Sequence, residues 1–161
     1  MVTTAFAAIT VVMNNGSSRT EAVAESDQRI VEELETSFKL VSLTEGVVQT
    51  RLDLVLTNDG RRTLGEFEDW VVTVWYDQDG GGETSIVPTY DTTLGDNKWI
   101  ANSFWLDYSG ADAEEIEPGR LNVHEELEIR IQLNPLLEAS TYVVVTLTSP
   151  TGITESITLE V

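Results

Sequence analysis

Cysteine is absent from the 161-residue chain. No disulfide framework, thiolate metal site or cysteine nucleophile is therefore open to it. Lysine is nearly absent too, with only Lys39 and Lys98, and nine basic residues face 28 Asp and Glu for a formal charge of −19. Without a basic patch to displace phosphate counterions, nucleic acid is excluded as a partner. An anionic membrane surface would repel the chain for the same reason. Histidine occurs once, at His124. One imidazole with no H-E-x-x-H pattern does not make a catalytic zinc site, and His124 reads as a surface residue at a strand start. The G-x-S-x-G, G-x-x-x-x-G-K-[ST] and G-x-G-x-x-G patterns are missing as well, so nucleophile elbow, P-loop and dinucleotide fingerprint all drop out. The expectation is a protein that is not an enzyme and carries no cofactor. Long apolar runs are also lacking: the uncharged block Met1 to Met13 falls short of the ~20 residues that span a bilayer. It has no basic region before it and no small-residue cleavage motif after it. The block is therefore expected to pack in protein, or to be what remains once an upstream leader is removed.

What is present is enough to fold. Hydrophobic residues make up 41% of the chain and four are Trp, which separates it from a disordered acidic tail and puts the acid on the surface of a core-bearing protein. Abundant Thr and carboxylate with almost no Lys suits proteins kept soluble in concentrated salt, with an ordinary acidic secreted domain as the alternative. The length fits one domain plus an N-terminal extension.

Helical periodicity marks the first forty residues. Val2, Phe6, Ile9 and Met13 recur at three- and four-residue steps, and Val23, Ile30, Leu34 and Phe38 mark a second stripe of about the same period. Asn14-Asn15-Gly16-Ser17-Ser18 interrupts them with poor helix formers. Most of the charged residues from Arg19 to Glu35 fall off the second stripe, and Glu25 to Arg29 is an i,i+4 pair in the favourable order. A helix apolar on every side needs a bundle or lipid around it. Neighbouring copies are expected to supply that bundle, with a long helix lying on its own sheet as the alternative.

From Lys39 onward the texture is β. Leu40 to Leu43, Val47 to Leu56, Trp70 to Tyr76, Ser85 to Val87, Lys98 to Leu106, Leu127 to Leu133, Thr141 to Thr148 and Ile153 to Val161 read as strands, punctuated by Asn58-Asp59-Gly60 and Asp77-Gln78-Asp79-Gly80-Gly81-Gly82. Seven to nine short strands at regular spacing predict an immunoglobulin-like antiparallel β-sandwich. The expected class is α+β, with an N-terminal helix over residues 1–39 and a solvent-exposed sandwich over 40–161.

This order, together with the start Met1-Val2-Thr3-Thr4-Ala5-Phe6-Ala7-Ala8-Ile9-Thr10-Val11-Val12, the strand and turn Leu54 to Gly60, and the late run from Glu117-Pro118-Gly119 through Tyr142-Val143-Val144-Val145 to Ser149-Pro150-Thr151-Gly152, resembles archaellins and related archaeal type IV pilin-like proteins. Ala5, where bacterial type IV pilins carry glutamate, favours the archaellum-like branch. The resemblance implies a structural subunit of an extracellular filament for motility or adhesion, polymerising with copies of itself and with other pilin-like subunits, and touching membrane only before assembly. Val2, Phe6, Ile9, Val11, Val12, Met13, Val23, Ile30, Leu34 and Phe38 would then form the filament core. The alternatives are a stator or envelope-anchoring protein of the same superfamily, and a free ligand-binding sandwich that would expose Trp70, Trp75, Trp99 or Trp105. Alternation with apolar neighbours assigns at least Trp70 and Trp75 to the core.

Two local motifs remain. Asp77, Asp79 and Glu83, spaced by glycines, form the candidate cation site, and calcium is the ion such oxygen ligands would take; a plain acidic hairpin loop is the alternative. Asn15-Gly16-Ser17 is a glycosylation sequon.

Overall fold

Alternation of buried and exposed residues builds two facing sheets. The computed structural model describes residues 35–46, 50–114, 117, 119–138 and 141–161, all within the compact unit Glu35–Val161. Its strands are β1 (Lys39–Glu45), β2 (Arg51–Thr57), β3 (Val71–Asp77), β4 (Glu83–Ile86), β5 (Thr89–Tyr90), β6 (Lys98–Asp107), β7 (Asp112–Ala113), β8 (Glu126–Gln132), β9 (Tyr142–Thr148) and β10 (Thr154–Glu160). One sheet runs β1-β2-β8-β6-β5, with β7 also on β6; the other runs β10-β9-β3-β4. With β1, β2, β8 and β6 on one side and β10, β9, β3 and β4 on the other, the arrangement is that of an immunoglobulin-like sandwich.

Between the sheets, Leu52, Leu54 and Leu56 of β2 and Leu127, Ile129 and Ile131 of β8 meet Val72, Val74 and Tyr76 of β3 and Val143, Val145 and Leu147 of β9, all at most 0% exposed. Each such side chain stabilises the fold by roughly 1.5–3 kcal/mol through removal from water. Trp99 of β6 is equally buried and meets Tyr90 edge-on at 4.9 Å. One end is closed by an aromatic group, Phe38 against Trp70 at 5.0 Å and Phe67 against Trp70 at 5.5 Å.

The α+β expectation is corrected: the described residues form an all-β fold, whose named elements are ten strands and the single-turn 3-10 helix Phe67–Asp69. Where the amphipathic helix was expected to end, the chain instead ties itself to the loop after β2. The Glu35 carbonyl accepts from the amides of Arg61 and Arg62, and the Ser37 carbonyl accepts from Gly60. Phe38 then turns into the sandwich core, 1% exposed. The sandwich is also mixed rather than purely antiparallel, because β5 pairs with β6 in parallel. The other expected helix positions, Val2, Phe6, Ile9, Val11, Val12, Met13, Val23, Ile30 and Leu34, and the sequon at Asn15, lie outside the described residues. No described helix is long and apolar enough to cross a membrane.

Candidate interaction surface

The two outer sheet faces differ in charge. On the larger sheet the face is charged but balanced. Arg51 on β2 donates to Asp53 at 2.9 Å, Arg130 on β8 donates to Glu128 at 3.1 Å, and the Arg130 guanidinium lies 3.6 Å from the other Asp53 oxygen. Glu128, 5% exposed, also accepts from the Asn102 amide at 2.6 Å. Trp105 and Tyr108 stand edge-on at 5.6 Å beside this network. Partial burial, helped by the carboxylates of Glu128 and Asp53, pushes the Tyr108 hydroxyl above its usual range. The network is incomplete: Arg51 Nε, Arg130 Nε, Asp53 Oδ1 and Trp105 Nε1 are buried on this face without a hydrogen-bond partner.

On the smaller sheet the outward residues are Thr154, Ser156, Thr158 and Glu160 of β10; Tyr142, Val144, Thr146 and Thr148 of β9; and Val71, Thr73, Trp75 and Asp77 of β3. The registers align them in rows. Thr154, Thr148 and Val71 form one; Ser156, Thr146 and Thr73 the next; Thr158, Val144, Trp75 and the β4 residue Ser85 the third. None of these is charged. Within the strands acid enters at one end, with Glu160 opposite Tyr142 and Asp77 opposite Glu83; at the other end the exposed Glu68 and Asp69 precede β3, and Glu68 lines a cleft with Val71 and Val87. Thr146 and Ser156 share a hydroxyl hydrogen bond of 2.8 Å, and Thr148 and Thr154 one of 3.0 Å. Threonine and other β-branched residues favour this pleated surface, and paired hydroxyls lose less on leaving water than free ones. Tyr142 and Val71 are 55% and 47% exposed.

Trp75 therefore does not belong to the core. Val72, Val74 and Tyr76 face inward, and the two-residue period sends Trp75 outward. Trp70 does belong to the core, at 4% exposed, with its indole N–H donating to the Gly65 carbonyl at 3.0 Å.

Of the three candidate cation residues the fold pairs two, Asp77 and Glu83, across the β3-β4 ladder. Asp77 also accepts from the Thr141 hydroxyl at 2.5 Å, while the Asp79 amide is tied to the Leu136 carbonyl. Among the described residues no group of three or more His, Asp or Glu is placed to hold a metal. His124 is exposed, at φ 69°, in the turn before β8. A cleft of about 380 Å³ lies between Thr63–Glu66 and Gly119–Arg120; among the described residues its polar side chains are those of Thr63, Glu66 and Arg120. Sequence reasoning missed the uncharged sheet face, though the hydroxyl residues at every second position of Thr146-Leu147-Thr148 and Thr154-Glu155-Ser156-Ile157-Thr158 carried its signal.

No family model matches the chain, and no curated protein matches it. Solved structures do. The archaellum periplasmic stator protein complex FlaF and FlaG from Sulfolobus acidocaldarius superposes with a TM-score of 0.56 at 18% identity, over 77% of this chain and 89% of that one. The archaellum periplasmic stator protein FlaG from the same organism gives 0.55 at 17%, over 77% of this chain and 99% of that one. The archaeal flagellum of Methanospirillum hungatei strain JF1 gives 0.54 at 12%, over 94% of this chain and 80% of that one. At these identities the likeness is one of fold.

Proposed function

We propose that this chain is an accessory, envelope-side component of an archaellum-type machine, a stator or anchoring protein whose sandwich works by protein contact rather than by catalysis. One observation carries the reading: its sandwich fold is shared with the periplasmic stator protein FlaG across 99% of that chain. The uncharged face of the smaller sheet supports it as well, because an anchoring protein needs a contact surface and no reaction centre. A stator made of such domains would sit outside the cytoplasmic membrane and contact both archaellum proteins and the cell-envelope layer.

A second reading, the filament subunit, is favoured by a different observation: the superposition on the archaeal flagellum spans 94% of this chain. Deleting the chain from its source cell separates the two. Cells that still bear filaments by negative-stain electron microscopy but no longer swim would match a stator or anchor. Cells without filaments would sink that reading and establish the subunit.

A further inference from the structure

We propose that the free edge of β4, together with the apolar cavity at its end, is a strand-addition site, and that its occupant is an extended segment of a partner protein carrying basic residues beside a bulky apolar one. The inference does not depend on the archaellum reading.

Main-chain geometry makes the first argument. β4 ends the order of its sheet, so among the described residues one side of it carries no strand. Its hairpin fixes which groups face that side. The Gln78 amide donates to the Gly82 carbonyl and the Gly81 amide to the Gln78 carbonyl, each at 3.0 Å, and antiparallel strands exchange hydrogen bonds at every second pair. Tyr76 therefore bonds with Thr84 and Val74 with Ile86, which leaves the amides and carbonyls of Glu83, Ser85 and Val87 pointing away from β3. Glu83 and Ser85 are exposed, and Val87 is 61% exposed. The next bonded pair would join Val72 to Pro88, and proline has no N–H to give. Pairing with β3 stops there, and the chain crosses to the other sheet as β5.

That crossing leaves a cavity, the second argument. About 330 Å³ open between residues 87–90 and Glu68, Trp70 and Val71. Trp70, Val71, Val87, Pro88 and Tyr90 give it apolar and aromatic walls, and Glu68 brings its one carboxylate. Val87 belongs to both features, as the last residue with outward main-chain groups and as a wall. A chain laid along β4 thus reaches the cavity with a side chain to place in it, the combination by which sheet edges take up peptides. Only an extended chain offers donors and acceptors at the strand repeat of ~3.3 Å per residue.

Charge selects the occupant. Glu68, Asp69 and Glu83 are exposed, and among the described residues none of the three is in an ion pair. No side chain lining the cavity is basic, and Lys98, opposite Thr89 in the ladder, is already bonded to Asp91. A second copy of this chain, at a net charge of −19, would bring more acid to an edge on which Glu83 already turns like chains away. Lysine or arginine on an incoming segment meets uncompensated carboxylates at both ends of β4. Exposed ion pairs contribute little each, so main-chain pairing and the cavity hold the segment and charge decides which segment it is.

The test is an amide NMR titration of the full chain with a capped peptide of alternating lysine and valine, and with the same peptide carrying glutamate for lysine. Ser85→Pro removes an outward amide without touching a bond to β3, Glu68→Gln removes the charge at the cavity, and Glu45→Gln, on the other sheet, is the control. Circular dichroism melts confirm that each variant is folded. The expected result is a set of shifts confined to residues 68–73 and 83–90 on adding the lysine peptide. Binding should be lost in Ser85→Pro, fall about twofold to fivefold in Glu68→Gln and stay unchanged in Glu45→Gln. It should also weaken as the Debye length falls from ~10 Å at 0.1 M to ~3 Å at 1 M salt. No shift with the lysine peptide at millimolar concentration would overturn the proposal. So would equal binding of the glutamate peptide, or shifts spread over the acidic loops that Ser85→Pro leaves in place, which is charge attraction alone.

Discussion

The side-chain amide of Asn58 donates to the main-chain carbonyl of Leu121 at 2.9 Å, joining two loops 63 positions apart in the chain. The same amide donates to the Arg62 carbonyl at 2.8 Å, and the Asn58 oxygen accepts from the Gly60 amide at 3.0 Å. Asn58 is 0% exposed, and its loss would take one of two partners from the Leu121 carbonyl, which keeps the Leu64 amide, and from the Gly60 amide, which keeps the Ser37 carbonyl. Asn58→Ala is expected to destabilise the fold by about 1–3 kcal/mol. Urea unfolding measures it, and a loss under about 0.5 kcal/mol would show that the amide does not hold the loops.

Gly60 closes the same corner for a steric reason. A Cβ there would stand 2.6 Å from the Glu35 carbonyl oxygen and 3.0 Å from the Ser37 carbonyl oxygen, both held by hydrogen bonds to the 60–62 loop. Gly60→Ala is expected to cost about 1–3 kcal/mol. Gly65→Ala, where a Cβ meets nothing within 4 Å, should stay within about 0.5 kcal/mol of the parent. Equal melts for the two variants would refute the argument.

Two loop carboxylates contribute to the pH response. The Lys98 ammonium, then the amides of Thr93 and Thr92, hold Asp91 below the usual carboxylate range. The Gly110 amide and the Ser109 hydroxyl do the same for Asp107. A pKa depressed by folding contributes stability that is present above the unfolded value, about 3.9, and lost as pH falls through the folded one. The melting temperature should drop below about pH 4, and Asp91→Asn should flatten that drop while lowering the plateau above it. An unchanged slope in Asp91→Asn would remove Asp91 from the account.

Much of the sandwich was legible because strands leave a two-residue period. Trp70 to Tyr76 and Thr141 to Thr148 were placed within a residue of β3 and β9. β5 and β7 were not, since two residues carry no period. Phe38 does not belong to a helical stripe for another reason: at Ser37 and Phe38 the backbone is not helical, β1 begins at Lys39, and the side chain is buried in the sandwich core. The uncharged face of the smaller sheet was hidden by the habit of seeking function in charge and aromatics. Its mark is a lack of charge on alternate positions of strands that become neighbours only after folding.

Trp75 tests both the register and the face. Trp70 and Trp99 are buried and Trp75 is half-exposed on β3, so in dilute, low-salt solution acrylamide should quench an accessible fraction to which Trp75 contributes and leave Trp70 and Trp99 protected. Trp75→Phe should shrink the quenchable fraction with little change in stability. Trp99→Phe should leave that fraction unchanged and cost about 1–3 kcal/mol, because it opens space in the core. A one-residue shift of β3 would reverse every side of that strand, making Trp75 protected and its replacement costly.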